Sequence, residues 1–306
     1  MQFHTKKRGI ALLITVMFVM VISVAIGLGL KQINEASTSV KEELFSYQIS
    51  LLLEDVLAML QKSNDLKMIG ESNNSITDLS LFLEQTQMIP FSTEGIDVMI
   101  KVQSARAKFN ISDLNDSRKA NYLTQYLNKY MINSDYVTIL FDVISGIKDD
   151  DNYNSAIFEE NPFLFRDYLV SYEHLQQINR FYAQAFNDNS LEKVPFKKLF
   201  YFGSKSKKNQ PYKIDLNYAT PEVWEMMLGC TQERAKILAN HDDLYEKLVN
   251  LDLDTEEITR LKAYNYSFFE PYLHVEVTFL QEDSEAKMSF EYDIRKRKGY
   301  NFVYEI

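Results

Sequence analysis

The arrangement of apolar and polar positions predicts a long helix at the start of the chain. Residues 10–30 contain no charged side chain, and residues 33–60 repeat apolar side chains about three, four and seven positions apart. An uncharged run of this length can cross a membrane as a helix, and the repeat is typical of an amphipathic helix. Because no Gly or Pro lies within residues 31–60, we expect one rod of about 50 residues, roughly 75 Å long at ~1.5 Å per residue.

Strict alternation of apolar and polar residues predicts strands at residues 96–102, 274–279, 288–294 and 300–306. Polar, turn-rich residues 61–80 are expected to end the rod, with a short helix at Thr77–Thr86. Helical spacing predominates between the first strand and the other three, at Arg118–Met131, Asp135–Ile147, Phe163–Val170, His174–Asn187, Pro221–Leu228, Gln232–Asn240 and Leu244–Asn250. The simplest topology is an α+β fold in which the rod packs on a small antiparallel sheet, with an all-α domain of about 160 residues inserted after the first strand.

Charge and cysteine content narrow the classes of function. The chain has 306 residues, enough for two modules. Beyond residue 30 it carries 30 basic residues against 43 acidic ones, a net charge of −13. Such a surface repels nucleic acid and anionic lipid and suits solubility or bound cations. The single cysteine, Cys230, excludes an intrachain disulfide.

The apolar run is entered directly from Lys6-Lys7-Arg8-Gly9. Basic residues on this side orient the N-terminus to the cytoplasm and place the bulk of the protein outside. No small-residue cleavage site of a secretory signal follows Leu30. These facts fit an ordinary N-terminal membrane anchor as well as a processed leader.

Four motifs favour the processed leader. Residues 6–13 (Lys-Lys-Arg-Gly-Ile-Ala-Leu-Leu) look like a prepilin peptidase site, and residues 213–223 (Lys-Ile-Asp-Leu-Asn-Tyr-Ala-Thr-Pro-Glu-Val) are similar to an "I-N-L-N-T-A-x-x-E-V" element. Residues 108–114 provide an Asn-containing opening and residues 266–269 an "S-x-x-F" exit. Together they resemble the minor pseudopilin K family of type II secretion systems (general secretion pathway protein K) over nearly the whole chain.

The resemblance implies a pilin-like fold whose inserted domain is similar to SAM and helix-hairpin-helix domains. It implies cleavage between Gly9 and Ile10 and methylation of Ile10. The implied layout is a leader (1–9), a transmembrane pilin helix (10–30), an amphipathic helix and first strand (31–107), two helical subdomains (108–212 and 213–267) and C-terminal strands (268–306). The protein would cross the bacterial inner membrane once, with its C-terminal bulk in the periplasm.

Ile14 occupies the fifth position of the implied mature chain, where most pilins and pseudopilins carry Glu. A carboxylate within the bilayer costs about 2.5–3.5 kcal/mol on insertion scales unless it is paired. In those relatives the Glu is thought to pair with the N-terminal amine of the preceding subunit. A subunit with Ile has no such partner to recruit, which suits the first subunit at a filament tip; drift toward a generic anchor is the alternative.

An acidic cluster is the candidate metal site. Asp149, Asp150 and Asp151 are followed by Glu159 and Glu160. Ca²⁺ takes six to eight oxygen ligands, but the spacing is not that of an EF-hand. Spacing alone favours a solvated acidic loop over a calcium site. The resemblance makes structural Ca²⁺ an equal alternative, and no organic cofactor is expected.

Residues 214–235 also resemble a helix-hairpin-helix element that binds DNA phosphates. The hairpin reads Gly229-Cys230-Thr231 and lacks the second Gly, and only Arg234 and Lys236 supply positive charge. Phosphate binding needs clustered basic residues. The element is therefore interpreted as a packing module, and no nucleic-acid partner is expected.

The predicted function is that of a non-enzymatic minor pseudopilin at the tip of a type II secretion pseudopilus, since the four histidines are scattered and no catalytic motif is present. Expected partners are other minor pseudopilins, the prepilin peptidase, the inner-membrane assembly platform and an exported protein substrate. A tip subunit of a DNA-uptake or type IV pilus-like machine and a membrane-anchored DNA-binding protein are the alternatives.

Overall fold

A computed structural model describes residues 47–71, 75–93, 96–114, 116–148, 152–206, 211–241, 243–281 and 284–305. The chain divides into two compact units, Met1–Leu60 and Gln61–Ile306. In the first unit, residues 47–60 are helical and bury Ile49, Leu53 and Val56. The helix predicted for residues 33–60 is thus confirmed from residue 47, and its earlier part lies outside the described residues.

Helix α1 covers residues 47–62. The remaining elements follow in chain order: α2 (Asn64–Glu71), α3 (Ser75–Gln85), β1 (Ile89–Thr93), β2 (Ile96–Ser104), β3 (Phe109–Asn110), α4 (Ser117–Asn128), α5 (Asp135–Ser145), α6 (Ile157–Glu160), α7 (Tyr172–Phe186), α8 (Phe196–Leu199), β4 (Phe200–Tyr201), β5 (Ile214–Asp215), α9 (Pro221–Leu228), α10 (Gln232–Ala239), α11 (Thr255–Leu261), β6 (Tyr266–Ser267), β7 (Tyr272–Gln281), β8 (Ser284–Asp293) and β9 (Lys298–Glu305).

Five strands form an antiparallel sheet in the order β1-β2-β7-β8-β9. Alternation places one set of side chains on a buried face, where Ile100 lies opposite Val277 and Val98 opposite Phe279. Burying side chains of this size stabilises the fold by about 1.5–3 kcal/mol each. The predicted α+β class is confirmed.

The helical segment leaves and re-enters the sheet at neighbouring positions. Ser104 at the end of β2 is the Cα partner of Leu273 in β7, and the Ala105 N–H donates to the Tyr272 carbonyl at 2.9 Å. Residues 105–271 are therefore an insert between two paired strands, called the helical insert below. One cluster of buried side chains runs through it from Phe109 to Tyr264. The subdomain boundaries within it stay a prediction.

Several sequence predictions need correction. Strand β1 was not predicted because Pro90 interrupts its pattern, so the insert follows the second strand rather than the first. Helix α2 lies within the segment predicted to be turns. Residues 163–170 are not helical, since their Leu169 N–H donates to the Ser112 hydroxyl at 3.1 Å instead of to a helical carbonyl. In place of a helix at Leu244–Asn250, only a 3₁₀ turn forms, at Leu248–Leu251.

Candidate functional site at the junction of sheet and insert

A buried ion pair joins the helical insert to the sheet. Arg106, two residues beyond β2, donates from Nη1 to Oε2 of Glu291 on β8 at 2.7 Å, and both side chains are about nine-tenths buried. The Tyr201 hydroxyl donates to Oε1 of Glu291, and Asn301 Nδ2 donates to the same oxygen at 2.9 Å. Removing one partner of a buried pair leaves an uncompensated charge, which costs about 3–5 kcal/mol.

Aromatic rings enclose the guanidinium group of this pair. Arg106 Cζ lies 4.0 Å from the ring centroid of Tyr272 and 4.6 Å from that of Tyr212. Burial is the largest single influence on the pKa of Arg106 and lowers it, but Glu291, Tyr212 and Tyr201 together outweigh burial and hold that pKa above its usual value. The guanidinium therefore remains charged and fixes the exit of β2 against β8.

The Asn-containing opening at residues 108–114 folds back on a distant segment of the insert. Asn110 Nδ2 donates to the Ser204 carbonyl at 3.0 Å, and the Ser112 hydroxyl donates to the Gly203 carbonyl at 2.7 Å. Asp113 accepts from the Ser206 backbone N–H at 2.8 Å. Strands β3 and β4 pair in parallel at the same place. This motif is thus a structural closure of the first half of the insert.

The second motif closes the other half in the same way. Strands β5 and β6 pair in parallel, joining residues 214–215 to residues 266–267. Asn217 Nδ2 donates to the carbonyls of Tyr245 and Phe268, at 2.9 and 2.8 Å, while its Oδ1 accepts from the Tyr245 N–H at 2.7 Å. One buried amide therefore ties three segments together and brings the predicted "S-x-x-F" exit beside the motif.

Asp215 is fully buried in this closure. Its Oδ1 accepts from the Asn217 N–H at 3.1 Å and its Oδ2 from the Glu270 N–H at 2.8 Å. Burial raises the pKa of Asp215 to about 7, although both backbone donors favour the charged form. The closure therefore contains a titratable group in a fully buried position.

The helix-hairpin-helix element forms as α9, a turn and α10. Gly229 adopts a left-handed conformation (φ 67°) and ends α9. Arg260 lies against this turn and donates to the carbonyls of Met226 and Met227, at 3.3 and 3.4 Å. Arg234 donates to the Asp252 carbonyl at 2.5 Å. Two guanidinium groups near the hairpin are thus engaged within the protein, as expected for a packing module.

The acidic cluster is only partly described. Asp149, Asp150 and Asp151 lie outside the described residues, whereas Glu159 and Glu160 are exposed at the end of α6. No cluster of three or more potential metal ligands occurs in the part of the chain that the structure describes. Calcium at this loop stays a prediction.

Asp142, which the sequence did not single out, lies beside the acidic loop. It is fully buried and accepts hydrogen bonds from the backbone and side chains of Asn154 and Ser155, at 2.7–3.1 Å. Its oxygens are thus occupied by protein donors, and they fix the chain where it leaves the loop.

Three further predicted positions, Gly9, Ile10 and Ile14, lie outside the described residues, as does the predicted span at residues 10–30. Among the described residues, no helix has the length and apolar character needed to cross a membrane.

Arg106 and Glu291 were missed because no spacing rule connects residues 185 positions apart. The alternation in β8 predicted that Glu291 would face solvent, but the insert covers it through Tyr201. No local signal in the sequence around Arg106 could have drawn attention to the pair, since the Tyr rings that enclose it come from residues 201, 212 and 272.

Comparison with known proteins finds a likeness in structure and none in sequence. No protein-family model and no curated protein matches the chain. The fold is similar to a chain in the crystal structure of the GspK-GspI-GspJ complex from the type 2 secretion system of enterotoxigenic Escherichia coli, with a TM-score of 0.53 and 12% identity. The match covers 87% of this chain and 97% of that chain. The protein therefore has a type II secretion pseudopilin-like α+β fold.

Proposed function

We propose that the protein is a non-enzymatic subunit of a type II secretion pseudopilus and lies at its tip. The observation that supports this most is the helical insert between β2 and β7, on a fold similar to that of a chain in a complex of three secretion-system proteins. In a filament with closely spaced subunits, a domain as large as residues 105–271 obstructs lateral neighbours. At the tip it meets no such neighbour.

The leader and Ile14 agree with this proposal. Cleavage after Gly9 and methylation of Ile10 by a prepilin peptidase would release a subunit anchored once in the inner membrane, with its bulk in the periplasm. Ile14 supplies no carboxylate to recruit a preceding subunit, so this subunit would be the first to assemble. Its partners would be other minor pseudopilins and the inner-membrane assembly platform, with an exported protein meeting the tip.

The buried junction suits a load-bearing subunit. A filament that pushes on a substrate loads the insert relative to the sheet. The Arg106–Glu291 pair, together with the hydrogen bond from the Tyr201 hydroxyl to Glu291, resists that displacement. An insert that is fixed to the sheet would transmit force to the substrate, whereas an insert connected only through the backbone would move relative to the sheet under load.

A deletion strain tests the proposal. We expect exported proteins to accumulate in the periplasm, DNA transformation to remain normal, and export to return with the wild-type gene. A Gly9→Leu variant, blocked at the predicted cleavage site, should fail to restore export, whereas Gly27→Leu, a matched glycine substitution within the apolar run, should restore it.

Loss of transformation with normal export would assign the protein to a DNA-uptake machine instead. If the deletion strain keeps both normal export and normal transformation, a role in either machine is contradicted. Salt-sensitive DNA binding by the purified protein would favour the membrane-anchored DNA-binding alternative.

A further inference from the structure

Helices α2 and α3 border an open groove of about 460 Å³. Its apolar lining comes from Met68 and Ile69 of α2 and from Leu81 and Phe82 of α3. Met68 is 58% exposed and Leu81 50% exposed. Two consecutive helices thus turn large apolar side chains toward solvent, at a place where each also has a fully buried face.

The groove is built on fixed supports within its own unit. Leu79 and Leu83 of α3 are buried, and α3 contacts β2. A Cβ on Gly70 of α2 would lie 3.7 Å from Ile294, so α2 lies against the end of β8. The exposed side chains are therefore presented by helices that are already in place, which lowers the ordering cost of binding.

Carboxylates form the rim of the groove. Asp65, Glu71 and Asp78 line it, and none of the described lining residues is Lys or Arg. Asp65 and Asp78 lie in the first turns of their helices, where a negative charge also stabilises the helix. At one end of the rim, Glu71 Oε1 lies 4.0 Å from Nη2 of Arg297. The potential over the apolar floor is therefore negative.

We propose that this groove, between α2 and α3, binds an amphipathic helix of a partner protein whose apolar face is flanked by Lys or Arg. Apolar anchors at helical spacing fill grooves of this kind, and Met-lined surfaces adapt to them. Flanking cations meet the three carboxylates.

Charge disfavours two other occupants of the groove. A second copy of this chain, at a net charge of −10, would bring like charge to an acidic rim. An anionic lipid surface would be repelled for the same reason. The inference concerns a surface outside the helical insert and does not depend on the proposed function.

The test uses the full chain in phosphatidylcholine nanodiscs. A bimane label at Gln85→Cys, an exposed rim position, in a Cys230→Ser background reports occupancy of the groove. The probe is a helical Leu/Lys peptide with Leu at positions three and four apart. Its control has the same composition with Leu and Lys alternating, and empty nanodiscs provide the blank.

We expect a saturable change in bimane emission with a Kd in the micromolar range, weakened at least tenfold between 50 and 500 mM salt. Leu81→Asp should weaken binding at least tenfold, whereas Leu280→Asp, on a similarly exposed leucine of β7, should leave it unchanged. Asp65→Asn with Asp78→Asn should weaken binding, and Glu159→Gln with Glu160→Gln should not.

Three results would each overturn the proposal, two of them being comparisons between matched samples. One is equal binding of the alternating peptide, and the other is equal loss in the Leu81 and Leu280 variants. Because about half of the Leu81 side chain and two-fifths of the Leu280 side chain are exposed, each variant should keep the parent's circular dichroism spectrum. No saturable change in emission also contradicts it.

Discussion

Titration of the buried Asp215 carboxyl should make the protein less stable as the pH rises from about 4 to 7. Its pKa is raised by burial from 3.8 to about 7. The folded state therefore holds a proton that the unfolded state has released, and stability falls with pH wherever the folded state binds more protons. The contribution is fully present below pH 4 and is lost as the pH passes through 7.

The magnitude follows from the size of the shift. Each pKa unit corresponds to about 1.36 kcal/mol, so the change from 3.8 to about 7 allows a loss of about 4 kcal/mol. Burial also raises the pKa of Glu270, which acts in the same direction. Carboxyls such as Asp116, whose pKa its hydrogen bond with Arg118 lowers to about 2, act in the opposite direction.

Comparison of the parent with Asp215→Asn isolates the effect, because the other groups are common to both. Urea unfolding at pH 4.5, 5.5, 6.5 and 7.5 can be followed through Trp224, the single tryptophan, which is fully buried in the insert. We expect the free energy of unfolding of the parent to fall by about 3–4 kcal/mol more than that of the variant across this range.

The measured quantity is the change of the free energy of unfolding with pH, not the difference between parent and variant at any one pH. Asn at position 215 has one acceptor oxygen in place of the two that accept the separate backbone N–H groups. A uniformly lower stability of the variant therefore does not affect the test. If the free energies of unfolding of parent and variant change equally with pH, burial does not raise the pKa of Asp215 above its value in the unfolded state. A parent that gains stability relative to the variant would show that the hydrogen bonds from Asn217 and Glu270 outweigh burial, and would refute the reasoning.

Four further predictions concern single features. Gly229→Ala should lower the free energy of unfolding by about 2–4 kcal/mol in urea titrations, because the residue has φ 67° and its Cβ would lie 2.6 Å from the guanidinium that caps α9. Glu291→Ala should cost about 3–5 kcal/mol, and Glu291→Gln less, since the amide keeps a hydrogen-bond acceptor. If calcium binds the acidic loop, Ca²⁺ should raise the melting temperature of the parent over that in chelator but not that of Asp150→Asn with Asp151→Asn; equal parent values would contradict it. Mass spectrometry of the mature protein should find methylated Ile10 at the N-terminus, and an intact Met1 would indicate an ordinary anchor.

Local patterns predicted the elements whose burial follows a simple period. The alternation at residues 274–279 predicted β7 because one side of that strand is buried throughout. Helix α9 has the predicted bounds since Thr220 caps its start and Gly229 ends it. Periodic burial and capping residues are local features, so the elements that depend on them could be predicted from the sequence.

The failures arise where tertiary contacts replace local ones. Residues 163–170 have helical spacing, yet Leu164 and Leu169 face the core while Phe163 is fully exposed. A hydrogen bond from the Leu169 N–H to the distant Ser112 hydroxyl holds this segment in a non-helical conformation. Strand β1 forms because β2 offers it an edge, despite Pro90. The Arg106–Glu291 pair depends on the path of the whole insert, which no local rule describes.

The pairing of Ser104 with Leu273 has an evolutionary consequence. Opposed residues of antiparallel strands lie about 4.5–5.5 Å apart, a gap that a two-residue turn can close. An ancestor with a plain β2–β7 hairpin could therefore have acquired the 105–271 segment without changing strand register. Relatives of this chain can gain, lose or exchange that segment while the sheet that carries it stays the same.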